Sequence, residues 1–277
     1  MKLFDAIFLG LVQGVAEFLP ISSSGHLSIF QSFLNLGQAG SDNLFFDVLL
    51  HLGTLAAVFV ADWDEIKALI LEFFTMIGAR KLPRGKKPDR LSRRMILFII
   101  IGTLPLFVVL PIKDLVDGLY NNTFFIGTAL LITGTLLFFS DRMTRGNKDL
   151  RSATVVDILV VGIGQAIAVV PGLSRSGTTI AAGMTRGFSR EFAVKFSFLL
   201  SIPAVLGANL LTLVDAIQEG VDWSLMPMYL TGVAVAAISG YLSICLLKFI
   251  TQRGSFGGFS YYCWGAGLVT LILSLIK

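Results

Sequence analysis

The sequence predicts an all-α polytopic membrane protein in which six transmembrane helices and two re-entrant helical hairpins form an inverted repeat. Three observations lead to this fold class. Hydrophobic residues make up 55% of the 277 residues and charged residues only 14%, whereas soluble proteins carry about 25% charged residues. The apolar residues fall into blocks of about 17 to 23, the length that crosses roughly 30 Å of hydrocarbon. Two further apolar regions are interrupted by Pro, Gly and Ser.

Six uninterrupted apolar segments are expected to cross the membrane completely. They are approximately residues 44–61, 95–112, 124–140, 192–214, 226–248 and 258–276. The whole chain, 1–277, is therefore expected to be a single integral membrane domain. No small-residue cleavage site follows its apolar start, so we expect mature sequence and no signal peptide. The net charge of +4 does not indicate nucleic-acid binding, because the basic residues lie in short loops between spans.

Each interrupted region is broken by proline and by a run of small polar residues. The first covers residues 3–20, ends at Pro20 and resumes as Leu27–Leu36. The second covers residues 154–170, is broken at Pro171-Gly172 and resumes as Thr178–Met184. Backbone groups freed by such a break at membrane depth must be satisfied by protein or by water in a cavity. We therefore expect two re-entrant hairpins.

The two interrupted regions match each other at an offset of 152 residues, which pairs Gly10 with Gly162, Gln13 with Gln165, Ser22 with Ser174, Ser24 with Ser176 and Gly25 with Gly177. Downstream, Phe46-x-x-Leu49-Leu50 resembles Phe196-x-x-Leu199-Leu200. The chain is thus predicted to be a duplication, with repeats at about 1–140 and 153–277. Each repeat has three spans, an odd number, so the second is inserted upside down and the two breaks face each other.

The charges of the loops agree with this topology. The 62–94 loop carries nine Lys or Arg residues and the 141–153 loop carries four, whereas the 112–123 loop has only Lys113 and the 215–225 loop has none. The positive-inside rule places the first two loops in the cytoplasm and the other two outside. The first hairpin is then expected to open to the outside.

Ionisable groups within a bilayer are costly and usually functional, and here they concentrate at the two breaks. Gln13 and Glu17 are four residues apart on one helical face, and Pro20 ends that helix just after Glu17. Glu17 is therefore a candidate general base. The alternative is a carboxylate that is satisfied by a packing partner.

Hydroxyl groups and a histidine follow Pro20. Ser22, Ser23 and Ser24 could act only as helix caps or small packing residues. His26 follows Ser23 by three residues and so shares its helical face. Together with Glu17, these residues form a candidate hydrolytic set, although a structural role for His26 remains an alternative.

The second break places Arg175 between hydroxyl residues at the start of a new helix. Free backbone N–H groups and the positive helix end attract anions there, and a guanidinium can bind phosphate oxygens bidentately. The alternative is a structural arginine paired with Glu17. If the starts of both resumed helices converge, they bind one anion from opposite sides, an arrangement that suits a diphosphate.

Two further features carry less information. His51 follows Asp47 by four residues, so a packed Asp–His pair is at least as good an interpretation as catalysis, with Asp47 lining the entrance to the site as another option. Cys245 and Cys263 lie in apolar segments and are expected to be small buried residues. No Cys/His spacing indicates zinc, and no Gly-rich loop indicates nucleotide binding.

These motifs resemble those of the bacterial undecaprenyl-diphosphate phosphatases of the BacA/UppP type. The resemblance covers essentially the whole chain and rests on two segments: Gln13-x-x-x-Glu17-Phe18-Leu19-Pro20-Ile21-Ser22-Ser23-Ser24-Gly25-His26 and Pro171-Gly172-Leu173-Ser174-Arg175-Ser176-Gly177-x-Thr179. The first position is Glu or Gln in that family, so Gln13 is a permitted variant.

The resemblance implies an integral membrane phosphatase that releases the terminal phosphate of undecaprenyl diphosphate and recycles the lipid carrier for peptidoglycan. It also implies bacitracin resistance, a site open to the outer face of the cytoplasmic membrane, and a divalent cation, Mg²⁺ or Ca²⁺. By motif position the catalytic residues are Glu17, Ser23, His26 and Arg175, with Glu17 also a candidate metal ligand. The residues expected to bind substrate are Gln13, Ser22, Ser24, Ser174, Ser176, Thr178 and Thr179.

Several mechanistic alternatives stay open at this point. Ser23 attacks phosphorus with His26 or Glu17 accepting its proton, or water attacks directly with Ser23 only donating a hydrogen bond. Glu17 acts as the base or holds the metal ion. The rival function is a lipid-phosphate carrier, because carriers also use inverted repeats with broken helices. The partners expected are the lipid substrate and membrane lipids; a homodimer is compatible with the sequence.

Overall fold

The computed structural model describes residues 1–34, 41–82, 87–143, 146–253 and 256–276. Within these ranges the protein is all-helical, and the only β-type pairing described there is an isolated bridge between Lys148 and Phe188. The α-helices are, in chain order, α1 (Leu3–Phe18), α2 (Ser23–Leu34), α3 (Ser41–Ala61), α4 (Trp63–Met76), α5 (Arg90–Thr103), α6 (Lys113–Leu119), α7 (Thr123–Arg142), α8 (Val155–Ile167), α9 (Arg175–Thr185), α10 (Arg190–Glu219), α11 (Met226–Arg253) and α12 (Gly257–Ile276).

Six helical segments are long and apolar enough to cross a membrane. They are Leu44–Ala61, Arg90–Leu119, Thr123–Arg142, Arg190–Gln218, Trp223–Gln252 and Gly257–Ile276. Each contains one of the six spans predicted from the sequence. The chain is therefore a multi-pass membrane protein.

The second span departs from the expected continuous helix. The α-helix α5 ends at Thr103, and the chain continues as 3₁₀-helices over Leu104–Val108 and Leu110–Ile112 before α6 begins. Each 3₁₀ segment has a proline near its start, Pro105 or Pro111. Proline lacks an amide hydrogen and clashes with the carbonyl four residues earlier, so it ends the regular ladder.

The 62–94 region, expected to be a basic loop, contains the helix α4. Ile66, Leu69 and Glu72 share its buried face, at the spacing of three residues that marks one side of a helix. The high count of basic residues in this region obscured that pattern. Arg84, Lys86 and Arg145, which contributed to the predicted loop charges, lie outside the described residues.

Both interrupted regions consist of two helices separated by a short non-helical segment. Residues 19–22 separate α1 from α2, and residues 168–174 separate α8 from α9. The resumed helices begin a few residues earlier than predicted, at Ser23 and Arg175, because serine hydroxyls cap their first turns. The predicted end of the first resumption, at Leu36, lies outside the described residues.

Glycines allow the two leading helices of these regions to approach other helices closely. A Cβ on Gly10 of α1 would lie 2.5 Å from the carbonyl oxygen of Gly232 in α11. A Cβ on Gly162 of α8 would lie 2.6 Å from the carbonyl oxygen of Gly102 in α5. Such contacts between small residues are the usual basis of helix packing in membranes.

The two cysteines differ in their surroundings. Cys263 in α12 is buried, as predicted, but Cys245 in α11 is exposed. The prediction for Cys245 was wrong because an apolar residue in a membrane helix can face lipid as readily as the protein interior.

We predict that Gly10→Ala lowers the thermal stability of the detergent-solubilised protein, because the added methyl group must displace backbone of α11. Overpacking of this kind costs about 1–3 kcal/mol. The matched control is Gly265→Ala in α12, where an added Cβ meets nothing within 4 Å. A thermal melt of both variants measures the difference, and equal melting temperatures would contradict the predicted contact.

Candidate functional site

The two breaks lie directly against each other. A Cβ on Gly25 would be 3.0 Å from Cα of Gly172, and a Cβ on Gly177 would be 3.2 Å from Cβ of Pro20. The Ser176 hydroxyl donates a hydrogen bond of 3.3 Å to the carbonyl oxygen of Leu19. Polar groups of one break are thus satisfied in part by the other.

The turn at Ser22 directs the residues that follow it. Ser22 has a φ of +73°, in the left-handed region that few residues other than glycine adopt. Its hydroxyl accepts from the Gly25 amide at 3.2 Å, and its carbonyl oxygen lies 2.7 Å from Nδ1 of His26. These bonds hold the turn and return Ser23 toward the end of α1.

Glu17 lies at the centre of the site and is almost fully buried. Its Oε1 accepts a 2.6 Å hydrogen bond from Nη2 of Arg175. Its Oε2 accepts a 2.7 Å bond from the Ser23 hydroxyl and a 3.1 Å bond from Nε2 of Gln13. The structure therefore brings together four of the residues that the sequence singled out.

His26 forms no described hydrogen bond with Ser23, although both lie on one helical face. Its Nε2 lies 2.9 Å from the hydroxyl of Tyr262 in α12, and the two rings stack with centroids 5.6 Å apart. Nδ1 is engaged by the Ser22 carbonyl. Tyr262 was missed because a tyrosine in an apolar span carries no signal that distinguishes it from an interfacial aromatic residue.

His51, for which the sequence left both catalysis and a packed Asp–His pair open, lies beside Glu17. Its Nε2 lies 3.8 Å from Oε2 of Glu17, and its Nδ1 lies 2.8 Å from the backbone carbonyl of Asp47. The Asp47 carboxylate instead accepts from Gln31 at 3.2 Å. The four-residue spacing therefore packs His51 against Asp47, with the hydrogen bond formed to the backbone carbonyl of Asp47.

The second break presents Arg175 through a capped helix start. The Ser174 hydroxyl accepts from the Gly177 amide at 3.1 Å, which closes the first turn of α9. Thr179 bonds to the Ser197 hydroxyl at 2.7 Å, and the Arg175 guanidinium also reaches the Ser197 carbonyl at 3.4 Å. Arg175 is thereby fixed between Glu17 and α10.

Thr178 and Ser24 form no described hydrogen bond to Glu17. Thr178 packs its methyl group near Gly164 of α8, and its hydroxyl is buried without a described hydrogen-bond partner. Ser24 lies beside Tyr120, which follows α6.

The residues at this centre provide few acidic ligands for a metal ion. Within the described ranges no group of three or more His, Cys, Asp or Glu side chains could hold a metal ion. One oxygen is nevertheless available beside Glu17, because Oε1 of Gln13 is buried without a hydrogen-bond partner in the described structure. The site thus offers one carboxylate and one amide oxygen.

Comparison with known proteins agrees with the motifs. The family model of the bacitracin resistance protein BacA matches residues 6–269. The "Undecaprenyl-diphosphatase" of Alkaliphilus metalliredigens is 39% identical over 277 residues and covers 100% of both chains. The protein of the same name from Halothermothrix orenii is 38% identical, with 99% of each chain covered. "Undecaprenyl-diphosphatase 3" of Bacillus cereus is 36% identical, covering 99% of this chain and 98% of that protein.

We predict that Gly172→Ala destabilises the protein through both backbone and packing. Gly172 has a φ of +90°, and an added Cβ would lie 2.7 Å from the carbonyl oxygen of Ile126 in α7. Gly220→Ala is the matched control, because Gly220 has a φ of +101° with nothing within 4 Å of an added Cβ. The control should lose only the backbone contribution, about 1 kcal/mol. Equal losses of thermal stability in both variants would show that close packing of Gly172 against α7 does not contribute to stability.

Proposed function

Because the chain belongs to the bacitracin resistance protein BacA family, we propose that it is an undecaprenyl-diphosphatase of the membrane. The family model and the full-length relatives support this activity. The enzyme hydrolyses undecaprenyl diphosphate to undecaprenyl phosphate and inorganic phosphate. It thereby recycles the lipid carrier of peptidoglycan synthesis and provides bacitracin resistance.

The observation that carries the mechanism is the hydrogen bond of 2.7 Å from Ser23 to Glu17. It pairs a nucleophile with a base, and the nearby guanidinium of Arg175 supplies a group that binds phosphate. A catalytic base must lie within hydrogen-bond reach of the proton that it removes. Among the described residues Glu17 meets this condition for Ser23, whereas both nitrogens of His26 are engaged by other groups.

In the proposed reaction, Oγ of Ser23 attacks the terminal phosphorus while Glu17 takes the hydroxyl proton. The new Oγ–P bond forms as the bond from phosphorus to the bridging oxygen breaks, and undecaprenyl phosphate leaves. Water then hydrolyses the phosphoserine and releases phosphate. Arg175 binds the equatorial oxygens, where negative charge must be stabilised. His26, stacked on Tyr262, positions the Ser22 turn instead of accepting the proton.

The remaining polar groups of the two breaks support a site for the diphosphate. The first turns of α2 and α9 converge there, and their free amide groups favour an anion. We propose that Gln13, Ser22, Ser24, Ser174, Ser176 and Thr179 line or shape this site. Thr178, whose buried hydroxyl has no described hydrogen-bond partner, belongs to the same proposed set.

A divalent cation fits the oxygen atoms at the centre of the site. Mg²⁺ is usually bound through one or two carboxylates together with substrate phosphates, and amide oxygens also suit Mg²⁺ and Ca²⁺. Glu17 and the unpartnered Oε1 of Gln13 would therefore hold the ion together with the diphosphate. When bound, the ion neutralises charge on the phosphate oxygens.

The packing of the helices supports two re-entrant hairpins related by an inverted repeat within the single domain 1–277. Gly10 meets Gly232 near Leu50, and the equivalent Gly162 meets Gly102 near Leu200. Residues at corresponding positions of the repeats at about 1–140 and 153–277 thus make corresponding contacts. An inverted repeat produces this pattern, since its halves are related by an axis in the membrane plane.

The loop charges support an orientation in the bacterial cytoplasmic membrane. The basic loops at 62–94 and 141–153 lie in the cytoplasm by the positive-inside rule, and the site then opens to the extracytoplasmic side. The carrier alternative is not favoured, because the relatives are named as diphosphatases and a carrier needs no Ser23–Glu17 pair. Assembly as a homodimer stays a prediction.

We predict that the purified protein releases phosphate from a long-chain prenyl diphosphate in a reaction that requires Mg²⁺ or Ca²⁺. Arg175→Gln and Glu17→Gln should each reduce kcat/KM about a hundredfold or more, because each removes a group that acts on the reacting phosphate. Arg142→Gln is the matched control, since this arginine stacks over Phe138 at the end of α7. Lipid binding without phosphate release by the folded protein would indicate a carrier instead.

We further predict a covalent phosphoserine at Ser23. Rapid acid quenching during turnover, followed by peptide mass spectrometry, should find phosphate on this residue, and Ser23→Ala should lose nearly all activity. Ser28→Ala, in the same helix α2, is the control and should keep its activity. If no phosphoserine is found and Ser23→Ala stays active, water attacks phosphorus directly.

A further inference from the structure

A second cleft of the molecule, which the proposed phosphatase mechanism does not use, is bordered by arginines and exposes mainly apolar surface. It has a volume of about 520 Å³ and lies where the first turns of α5 approach the start of α8. Its lining residues are Arg90, Leu91, Arg93, Arg94, Leu97, Phe98, Ile101, Arg151 and Val155. Four of these are arginines, and none of the lining residues is acidic.

Three of the four arginines have no carboxylate partner within the described parts of the chain. Arg93 forms an ion pair of 2.6 Å with Glu72. Arg94 donates from Nη2 to the backbone carbonyl of Ala153 at 2.6 Å, while its Nε is buried and lacks a described hydrogen-bond partner. Arg90 and Arg151 are exposed and belong to no described ion pair. The arginines of the cleft therefore outnumber the carboxylates with which they form described ion pairs.

The two nearest acidic residues along the chain accept hydrogen bonds from neighbouring backbone amides and serine hydroxyls. Asp89 caps α5 by accepting from the Leu91 amide at 3.0 Å and from the Ser92 hydroxyl at 2.6 Å. Asp149 accepts from the Ser152 hydroxyl at 2.8 Å and from the Arg151 amide at 3.0 Å. Neither carboxylate forms a described ion pair with an arginine of the cleft.

The cleft changes from charged to apolar along α5. The span that contains α5 begins at Arg90, and Ile101 lies eleven residues further, about 16 Å at the rise of an α-helix. Leu97, Phe98 and Ile101 line the deeper part. This distance is enough to lead from the headgroup region into the hydrocarbon. The arginines at the mouth of the cleft would then lie level with lipid headgroups, and its apolar wall level with acyl chains.

We propose that this arginine-lined cleft binds an anionic phospholipid. The phosphodiester lies beside Arg94 and between Arg90 and Arg151, whose exposed guanidinium groups match phosphate oxygens bidentately, and an acyl chain follows Leu97 and Ile101. Basic pockets on the cytoplasmic side of membrane helices are a known way of holding such headgroups. A free phosphate ion would use the mouth but leave the apolar wall uncovered. This proposal is independent of the phosphatase activity.

The bound lipid also has a structural consequence. Arg94 joins α5 to Ala153, the residue before the capping residue of α8, and α8 leads to the break that carries Arg175. A phosphodiester at the Arg94 guanidinium would therefore stabilise the start of α8. We expect anionic lipid to raise the melting temperature of the protein.

The test titrates detergent-purified protein with dioleoyl-phosphatidylglycerol, dioleoyl-phosphatidylcholine or inorganic phosphate. Native mass spectrometry counts bound lipid, and a thermal melt measures stabilisation. Phosphatidylglycerol should bind and stabilise, and the other two probes should not. Arg90→Gln with Arg151→Gln should weaken binding about tenfold or more, since each basic group near an anionic lipid contributes appreciably.

The matched control is Arg80→Gln with Lys81→Gln, which removes the same charge from exposed residues outside the cleft. It should bind phosphatidylglycerol like the wild type. A second variant, Arg90→Lys with Arg151→Lys, keeps the charge but loses the bidentate fork and should bind more weakly than the wild type. Equal weakening in the control, or equal binding of phosphatidylcholine, would overturn the proposed site, as would stabilisation by inorganic phosphate alone.

Discussion

The contact between the two breaks depends on one buried ion pair, Glu17 with Arg175, which joins residues 158 positions apart in the chain. Removing one partner of a buried pair leaves an uncompensated charge, which is strongly destabilising. The pair therefore holds the two breaks together. It also joins the two groups on which the proposed mechanism depends, the Glu17 carboxylate beside the Ser23 hydroxyl and the Arg175 guanidinium. A hydrogen bond from Gln13 and the proximity of His51 hold Oε2 of Glu17.

The breaks themselves are tolerated because each satisfies part of the other. Ser176 donates to the Leu19 carbonyl, and Thr133 of α7 both donates to the Gly172 carbonyl and accepts from the Ser174 amide. Unsatisfied backbone groups cost several kcal/mol in hydrocarbon. These hydrogen bonds satisfy such groups, and they can form because Gly25 and Gly172 let the two breaks approach closely. The same segments that interrupt the helices bring the first turns of α2 and α9 to the two breaks, where the proposed anion site lies.

Much of the fold and the centre of the candidate site could be predicted from the sequence. Hydropathy located all six spans, since the length of each is set by the membrane. Proline and hydroxyl residues located both breaks, and the rarity of charge at that depth identified Glu17 and Arg175. The helix α4 was not predicted, because the many basic residues around it masked its apolar face. The 3₁₀ segments were not predicted, because hydropathy does not distinguish a 3₁₀-helix from an α-helix. Tyr262 and His51 could not be assigned, because their roles come from contacts between different helices.

The sequence by itself determined which residues lie at membrane depth and which of them carry charge or a hydroxyl group. These properties follow from local composition and helical periodicity. Only the tertiary structure decided which groups meet. Ser23 bonds to Glu17 instead of His26 because the left-handed turn at Ser22 rotates the start of α2, while the packing of α12 draws His26 toward Tyr262. Contacts of this kind depend on the relative positions of helices far apart in the chain, which no local pattern encodes.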